Sequence, residues 1–294
     1  MQPGKLAVWY MTDLLSAPAA AAFAKKVESL GYSALWIPEN AGRNSLVASS
    51  WLLAETSKLI VATGIARTYA YSAFAMKSGQ YALAEQSGGR FLLGIGVSHD
   101  GLVQKTFEVP YGKPVATMRA YLDALDRQAY GSTPPPERPP LVLAAIGPRM
   151  LELSAERADG AHSYSVTPEH TAFARRILGP SKWLFVEQKV WLGTDAAKAR
   201  SVARDFVGFI GSAPNYRRNL ERFGYSATDF ENGCSDRLVD ALVAWGDERA
   251  IRARIQAHLD AGATQVCISP ITAGGFYNAK GPDERVLEVL SPNA

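Results

Sequence analysis

Short apolar runs alternate along this chain with segments whose apolar residues recur every three or four positions, the pattern of strands separated by amphipathic helices. The runs predict strands at 6–11, 34–38, 59–66, 90–97, 141–146, 161–166, 183–192 and 265–271. Strands that alternate with helices from end to end predict a parallel sheet wrapped by helices, and eight of them are the number for a closed (β/α)8 TIM barrel. Helix 18–30 illustrates the junctions: Pro18 suits a first turn, Phe23, Val27 and Leu30 share a face, and Gly31 ends it. The pattern recurs where Ile251, Ile255 and Leu259 stripe a helix that stops at Gly262, before Val266-Cys267-Ile268.

Two stretches interrupt this rhythm. Pro134-Pro135-Pro136 with Pro139-Pro140 is a stiff connector into strand 141–146. It divides the barrel into halves and not into domains, because neither half has enough strands to close, so residues 1–294 are expected to form one domain. Segment 212–246, with Asn215-Tyr216-Arg217-Arg218 and Gly233-Cys234-Ser235-Asp236, breaks the alternation between the seventh and eighth strands. A helical insertion is expected there, serving as a lid or partner surface.

Composition narrows the classes of function. With 294 residues, 47% hydrophobic and 20% charged, the chain has length for one large core. A net charge of +3 without a Lys/Arg block argues against nucleic acid as the main partner. The only cysteines, Cys234 and Cys267, form no CxxC pair, which points to a reducing cytoplasmic setting. His99, His162, His170 and His258 lack metal-ligand spacing, so no metal site is expected, and His258 is expected to be solvated on a surface helix. Asp13 interrupts the one early stretch that resembles an export signal, and no run approaches the roughly 20 apolar residues of a membrane span.

In a barrel, chemistry gathers at the C-terminal ends of the strands. The segment Arg90-Phe91-Leu92-Leu93-Gly94-Ile95-Gly96-Val97-Ser98-His99-Asp100 is the most telling: an apolar strand loses its side chains at two glycines, then opens into polar residues. Glycine lets a ligand or another backbone approach closely. The dinucleotide spacing fails because residue 99 is His and not Gly. Ser98-His99-Asp100 is no triad, since neighbours on an extended chain point to opposite faces, so one side chain, Ser98 or His99, is expected to face a ligand. By position, the other candidates are Glu39-Asn40, Thr63-Gly64-Ile65-Ala66-Arg67, Val97, Gly147-Pro148-Arg149-Met150 and Tyr164-Ser165. Gly147-Pro148-Arg149 begins a helix, where free N–H groups and a guanidinium suit a phosphate. Trp9, Trp36 and Tyr69 are candidates for the wall of an apolar pocket.

Taken in order and spacing, four stretches resemble the bacterial-luciferase-like family of flavin and deazaflavin oxidoreductases. They are Leu30-Gly31-Tyr32-Ser33-Ala34-Leu35-Trp36-Ile37-Pro38-Glu39, Ala62-Thr63-Gly64-Ile65-Ala66, Gly89 through His99, and Ala144-Ala145-Ile146-Gly147-Pro148-Arg149-Met150-Leu151 followed by Ala158-Asp159-Gly160. Val166-Thr167-Pro168-Glu169-His170 and Ser235-Asp236-Arg237-Leu238-Val239-Asp240 look like an actinobacterial subgroup assigned to coenzyme F420. The resemblance implies a hydride-transferring oxidoreductase with coenzyme F420 as cofactor and a small-molecule substrate. FMN in a monooxygenase and a catalytically silent flavin-binding relative are the alternatives. It implies a homodimer, and a third strand that bulges at Gly64-Ile65, in some relatives through a non-prolyl cis peptide. It carries Ser98, Gly147 and Arg149 onto positions that bind the cofactor's polar tail or ring edge.

Two departures matter. Sugar-phosphate dehydrogenases of the family have a His after the acidic residue of strand two and a Glu after the glycine strand; here Asn40 and His99 stand at those places. Asn40 can orient a carbonyl but cannot give a proton, whereas a histidine, with an ordinary pKa of about 6.5, can. His99 is thus the expected acid/base, with Glu39 as its catalytic companion, and Asn40, Thr63, Gly64, Ile65, Ala66, Val97, Ser98, Gly147, Pro148, Arg149, Met150, Tyr164 and Ser165 are expected to bind cofactor.

Overall fold

A computed structural model describes residues 1–40, 42–275 and 281–293. The first half runs β1 (Leu6–Trp9), α1 (Ala17–Ser29), β2 (Ala34–Ile37), α2 (Ser45–Glu55), β3 (Ile60–Thr63), β4 (Ala66–Arg67), α3 (Ala73–Gln86), β5 (Phe91–Gly96), α4 (Asp100–Phe107) and α5 (Pro114–Arg127). After the proline-rich connector come β6 (Leu141–Ala144), α6 (Pro148–Arg157), β7 (Gly160–Ser163), α7 (Pro168–Leu178) and β8 (Trp183–Leu192). The chain continues through α8 (Ala196–Ser212), α9 (Pro214–Arg222), α10 (Asp236–Leu242), β9 (Val243–Gly246), α11 (Glu248–Asp260), β10 (Gln265–Pro270) and α12 (Glu284–Val289).

Eight parallel strands close the barrel in the order β1, β2, β3, β5, β6, β7, β8, β10, with β10 returning to β1. Strand pairing places Trp9 beside Trp36, Trp36 beside Ala62, and Ala62 beside Leu92. Because side chains alternate across a strand, these residues belong to one face. Together with Val142, Phe185 and Cys267 they form the packed inner core, where small alanines oppose large aromatics. The opposite faces pack under the helices through residues such as Val8, Leu35, Val61, Leu93 and Val186. Junctions follow local chemistry: Ser16 caps α1 by accepting from the Ala19 N–H at 3.3 Å, with Pro18 in the first turn.

Three expectations change. The third strand does not run unbroken over 59–66; it stops at Thr63 and resumes as β4, and the Gly64–Ile65 peptide between them is cis. The excursion expected to be helical over 212–246 begins earlier, with α8, and ends in a strand. β9 pairs in parallel with Lys189 to Leu192 of β8, beyond the four residues that pair with β7, so the unusual length of β8 lets one of its edges serve two strands while the other pairs with β10. His258 is fully buried and not solvated: it lies on the inner side of α11, with Thr171 Oγ1 2.8 Å from Nδ1 and Gln188 Oε1 3.0 Å from Nε2. A periodic apolar stripe leaves the residue beside it free to take either face, and here two polar partners inside the fold drew the imidazole in.

Candidate active site

Gly94 and Gly96 leave room for what lies across them. A Cβ on Gly94 would stand 2.2 Å from the Thr63 carbonyl oxygen, and one on Gly96 would stand 2.9 Å from the Ile65 side chain. Both are closer than carbon atoms approach, so the glycines of β5 are what allow the broken third strand and Ile65 to fold over them. Thr63 locks this arrangement. Its hydroxyl donates to the Gly94 carbonyl at 2.8 Å and accepts from the Gly94 N–H at 2.9 Å, which leaves the side chain buried and engaged. Trp9 Nε1–H donates to the Gly64 carbonyl at 3.0 Å from below. Trp9 borders the mouth, but Trp36 is wholly buried in the inner core against His162 and Phe185, so it walls no pocket. Ala66 is buried as well, in register with Ile95 of β5.

Glu39 is an acceptor hub. One carboxylate oxygen takes the Ser45 N–H at 3.2 Å and the Tyr71 hydroxyl; the other takes the Arg67 N–H at 3.0 Å. Those donors fix the loop after β2 to β4 and α2. Burial and the hydrogen bond to Glu39 push the Tyr71 phenol far up, so that proton stays with Tyr71. Next to it, the Arg67 guanidinium donates to the Asn40 backbone and side-chain oxygens at 3.3 and 3.2 Å, and Asn40 Nδ2 lies 3.3 Å from Met11 sulfur. Arg67 is almost completely buried.

Val97 is buried, and Ser98 takes a left-handed backbone (φ 61°) with its carbonyl accepting from the Tyr111 hydroxyl at 3.1 Å. Tyr69 stacks on Tyr111 at 6.0 Å, so it does form part of an aromatic wall. His99 turns toward the α8–α9 insertion. Its ring lies 5.6 Å from Phe209 and 5.7 Å from Tyr216. Burial lowers its pKa from the ordinary 6.5, the Asn215 side chain pulls it back up, and the Arg67 charge lowers it further. At neutral pH His99 is therefore an uncharged imidazole.

Across the mouth, Gly147 precedes α6 and offers no side chain to cap it. None of the described residues lies within 4 Å of where its Cβ would be; Pro148 opens the helix, Arg149 is exposed, and Met150 is half-buried. His170 holds the turn from behind: its Nε2–H donates to the Ile146 carbonyl at 2.8 Å, while Nδ1 finds no partner among the described residues. Tyr164, 5.2 Å from Trp9, and Ser165, buried at φ 52°, complete the ring of candidates.

Sequence reasoning passed over Glu187 and Lys189. Both are about 1% exposed and project from β8 into the barrel, paired at 3.1 Å. The signal was available, since Glu187-Gln188-Lys189 are three polar residues inside a predicted buried strand. His170 was also passed over as a site residue, because what recommends it is what it touches.

A small cleft with room for little more than a water molecule opens at this end of the barrel, lined by Trp9, Tyr10, Met11, Phe206, Ser269, Pro270, Thr272 and Gly275. A wider groove lies outside the barrel by Trp245, but its Asp240 is bound by Arg200 and its Arg254 by main-chain carbonyls, so its charges are spent on the fold. Among the described residues no cluster of His, Cys, Asp and Glu is placed to hold a metal ion, and no helix is long and apolar enough to cross a membrane.

Known proteins share this plan. The chain is 27% identical to the 5,10-methylenetetrahydromethanopterin reductase of Methanolobus tindarius, over 85% of this chain and 89% of that one. Its fold matches the coenzyme F420 dependent tetrahydromethanopterin reductase of Methanopyrus kandleri, with a TM-score of 0.79 at 17% identity, over 99% and 98% of the two chains. An F420-dependent secondary alcohol dehydrogenase, solved with an F420-acetone adduct, matches with a TM-score of 0.76 at 12% identity over 99% and 98%. The model of the luciferase-like monooxygenase family matches residues 3–265, which takes in every barrel strand up to the start of β10, and the chain therefore belongs to that family.

Proposed function

We propose that this chain is an oxidoreductase that transfers a hydride between coenzyme F420 and a small organic substrate at the C-terminal mouth of the barrel. The observation that carries the reading is the pairing of two cradles around one mouth. Ile65 laid over Gly94 and Gly96 offers an apolar seat for a flat ring. The uncapped start of α6 at Gly147, with Arg149 beside it, offers N–H donors and a positive charge for an anionic tail. F420 has both parts, and relatives that use it share the fold. When bound, the deazaflavin supplies a ring carbon that carries a hydride; the protein binds, orients and manages the proton.

Within this reading Gly147, Pro148, Arg149 and Met150 hold the tail. Gly64, Ile65 and Ser98 border the ring, Asn40 and Arg67 present polar groups to its edge, and Thr63, Ala66 and Val97 hold the walls in place. Neutral His99 acts as a hydrogen-bonding group under the insertion. Two buried, unpaired cysteines suit a reducing cytoplasm.

The active form is a homodimer. Val47 and Trp51 of α2 and Phe74 of α3 are 69%, 43% and 62% exposed on neighbouring helices, and α2 carries no charge before Glu55. An uncharged apolar face of that kind suits a second copy related by a two-fold axis.

Calorimetric titration with coenzyme F420, FMN and NADPH in parallel tests the assignment. F420 should bind tightly and the others weakly. Preference for FMN would move the chain to the second reading, a monooxygenase, which the family's name favours; binding of none would overturn both.

A further inference from the structure

Among the described residues six large hydrophobic side chains stand exposed. Val47, Trp51 and Phe74 form the α2–α3 face; the other three sit on connections that leave the C-terminal ends of barrel strands, Leu14 after β1, Val109 after β5 and Phe209 in the insertion after β8. Phe209 is 51% exposed although its ring meets His99 edge-on at 5.6 Å. One turn earlier on α8, Phe206 lines the cleft with Trp9, Tyr10 and Met11. Residues three apart are neighbours on a helix surface, so one side of α8 reaches from the β1 side of the mouth to the β5 side and meets it with two phenyl rings. The segment after β5 adds Phe107 and Tyr111, whose rings lie 6.5 and 6.0 Å from that of Tyr69. Backbone groups anchor both phenols: Tyr111 donates to the Ser98 carbonyl at 3.1 Å, and Tyr69 accepts from the Gly112 N–H at 3.0 Å. What this wall offers a ligand is ring surface.

The charges nearby are engaged by the protein itself. Glu39 accepts from Ser45, Arg67 and Tyr71, the Arg67 guanidinium donates twice to Asn40, and Glu187 and Lys189 neutralise each other inside the barrel at 3.1 Å. Arg149 belongs with the anionic tail. A charged substrate body would lose its hydration beside aromatic rings without gaining a counter-charge, which is costly, whereas an apolar body gains by leaving water. As it stands, the cleft beside Phe206 holds little more than a water molecule, so a substrate has to raise α8 from the mouth. The insertion allows this. Val207, Ile210, Leu220, Leu238 and Val239 belong to a hydrophobic core separate from that of the barrel. The two ends of the insertion leave the barrel side by side, with the Gly193 N–H donating to the Gly246 carbonyl at 2.8 Å. α8 can therefore exchange its contacts with Trp9 and His99 for contacts with a ligand while its outer packing stays intact.

We propose that the substrate carries its reacting bond on an uncharged, apolar body, and that Phe206 and Phe209 of α8 close over that body as the surface that sets specificity. The inference rests on the hydride-transfer reading above and names the substrate class for the same mouth. Phe209 is the residue through which the class is read, because its ring already touches the β5 side and still has half of its surface to give to a ligand.

Binding tests this without a known substrate. Nile red, an uncharged dye that fluoresces in apolar surroundings, is the probe, and straight-chain methyl ketones from butanone to dodecanone are the competitors. The ketones should displace the dye with an affinity that rises by up to about fourfold for each methylene buried. Carboxylates of matching length should bind about tenfold more weakly or worse. Phe209→Ser, at an exposed position on which folding does not depend, should weaken the longer ketones by about tenfold and leave butanone and F420 binding as they were. Affinity independent of chain length, carboxylates that bind as well as ketones, or full ketone affinity in Phe209→Ser would each overturn the proposal. So would a dye site that survives Phe209→Ser and is lost in Val47→Glu with Phe74→Glu, because it would belong to the α2–α3 face. If F420 fails to bind while the ketone series holds, the hydride-transfer reading falls and the apolar site stands.

Discussion

Glu39 and His99 were nominated together as proton-handling residues, and their surroundings separate them. Every donor aimed at Glu39 comes from the fold: Ser45, Arg67 and Tyr71. Glu39→Ala should therefore destabilise the protein by about 2–4 kcal/mol, as expected when buried donors lose a charged acceptor. Urea denaturation reads this directly, and an unchanged midpoint would return Glu39 to the catalytic list. His99 should govern the acid limb of the pH profile. Its pKa lies below 6.5, so activity should be flat near neutrality and fall only at lower pH, where protonation places a second cation near Arg67. His99→Asn should abolish that limb; persistence of the limb would assign it to another group. The presence of both residues at strand ends was legible in the sequence. Their roles were not, because a role depends on partners from β4, α2 and α9, all distant along the chain.

At the scale of elements, the start of α6 is the part most open to test. A helix end without a side-chain cap attracts anions through its N–H groups and dipole, and Arg149 adds a screened surface charge. Arg149→Ala should weaken F420 binding several-fold, more at low salt than at high, by calorimetry; equal affinity at all salt concentrations would remove the tail from this helix. The apolar rhythm made this helix and the eight barrel strands readable. It also explains why the excursion before the last strand was misjudged. Val243-Ala244-Trp245-Gly246 follows directly on α10 with no turn residue to set it off, and it becomes a strand because β8 extends past β7 and offers backbone groups to pair with.

For the whole molecule, buried histidines set the response to acid. Burial pushes His162 to about 3, His170 to about 4 and His258 to about 3, from an ordinary 6.5. All three are neutral when folded, while the unfolded chain takes up their protons below about pH 6.5. The stability this represents is fully present above that pH and is lost as pH falls toward 4, by roughly 1.4 kcal/mol per pH unit for each group and about 4 for the three together. Urea midpoints measured from pH 7 to pH 5 should show this slope, and His258→Gln should reduce it by about a third; an identical slope in that variant would mean the histidines are not its source. The dimer belongs to this scale too. Val47→Glu with Phe74→Glu should give a monomer by light scattering, and an unaltered mass would place the interface elsewhere. By itself the sequence determined the barrel, its strand order and the identity of most groups at the mouth, since hydrophobic periodicity and glycine placement are local properties of the chain. Tertiary structure alone decided what those groups can do. Whether Thr63 faces a ligand or a backbone, whether His258 meets water or Gln188, and whether Lys189 meets Glu187 and Ser165 inside the barrel are questions of contact between remote residues, and burial and hydrogen bonding are fixed only once the chain has closed on itself.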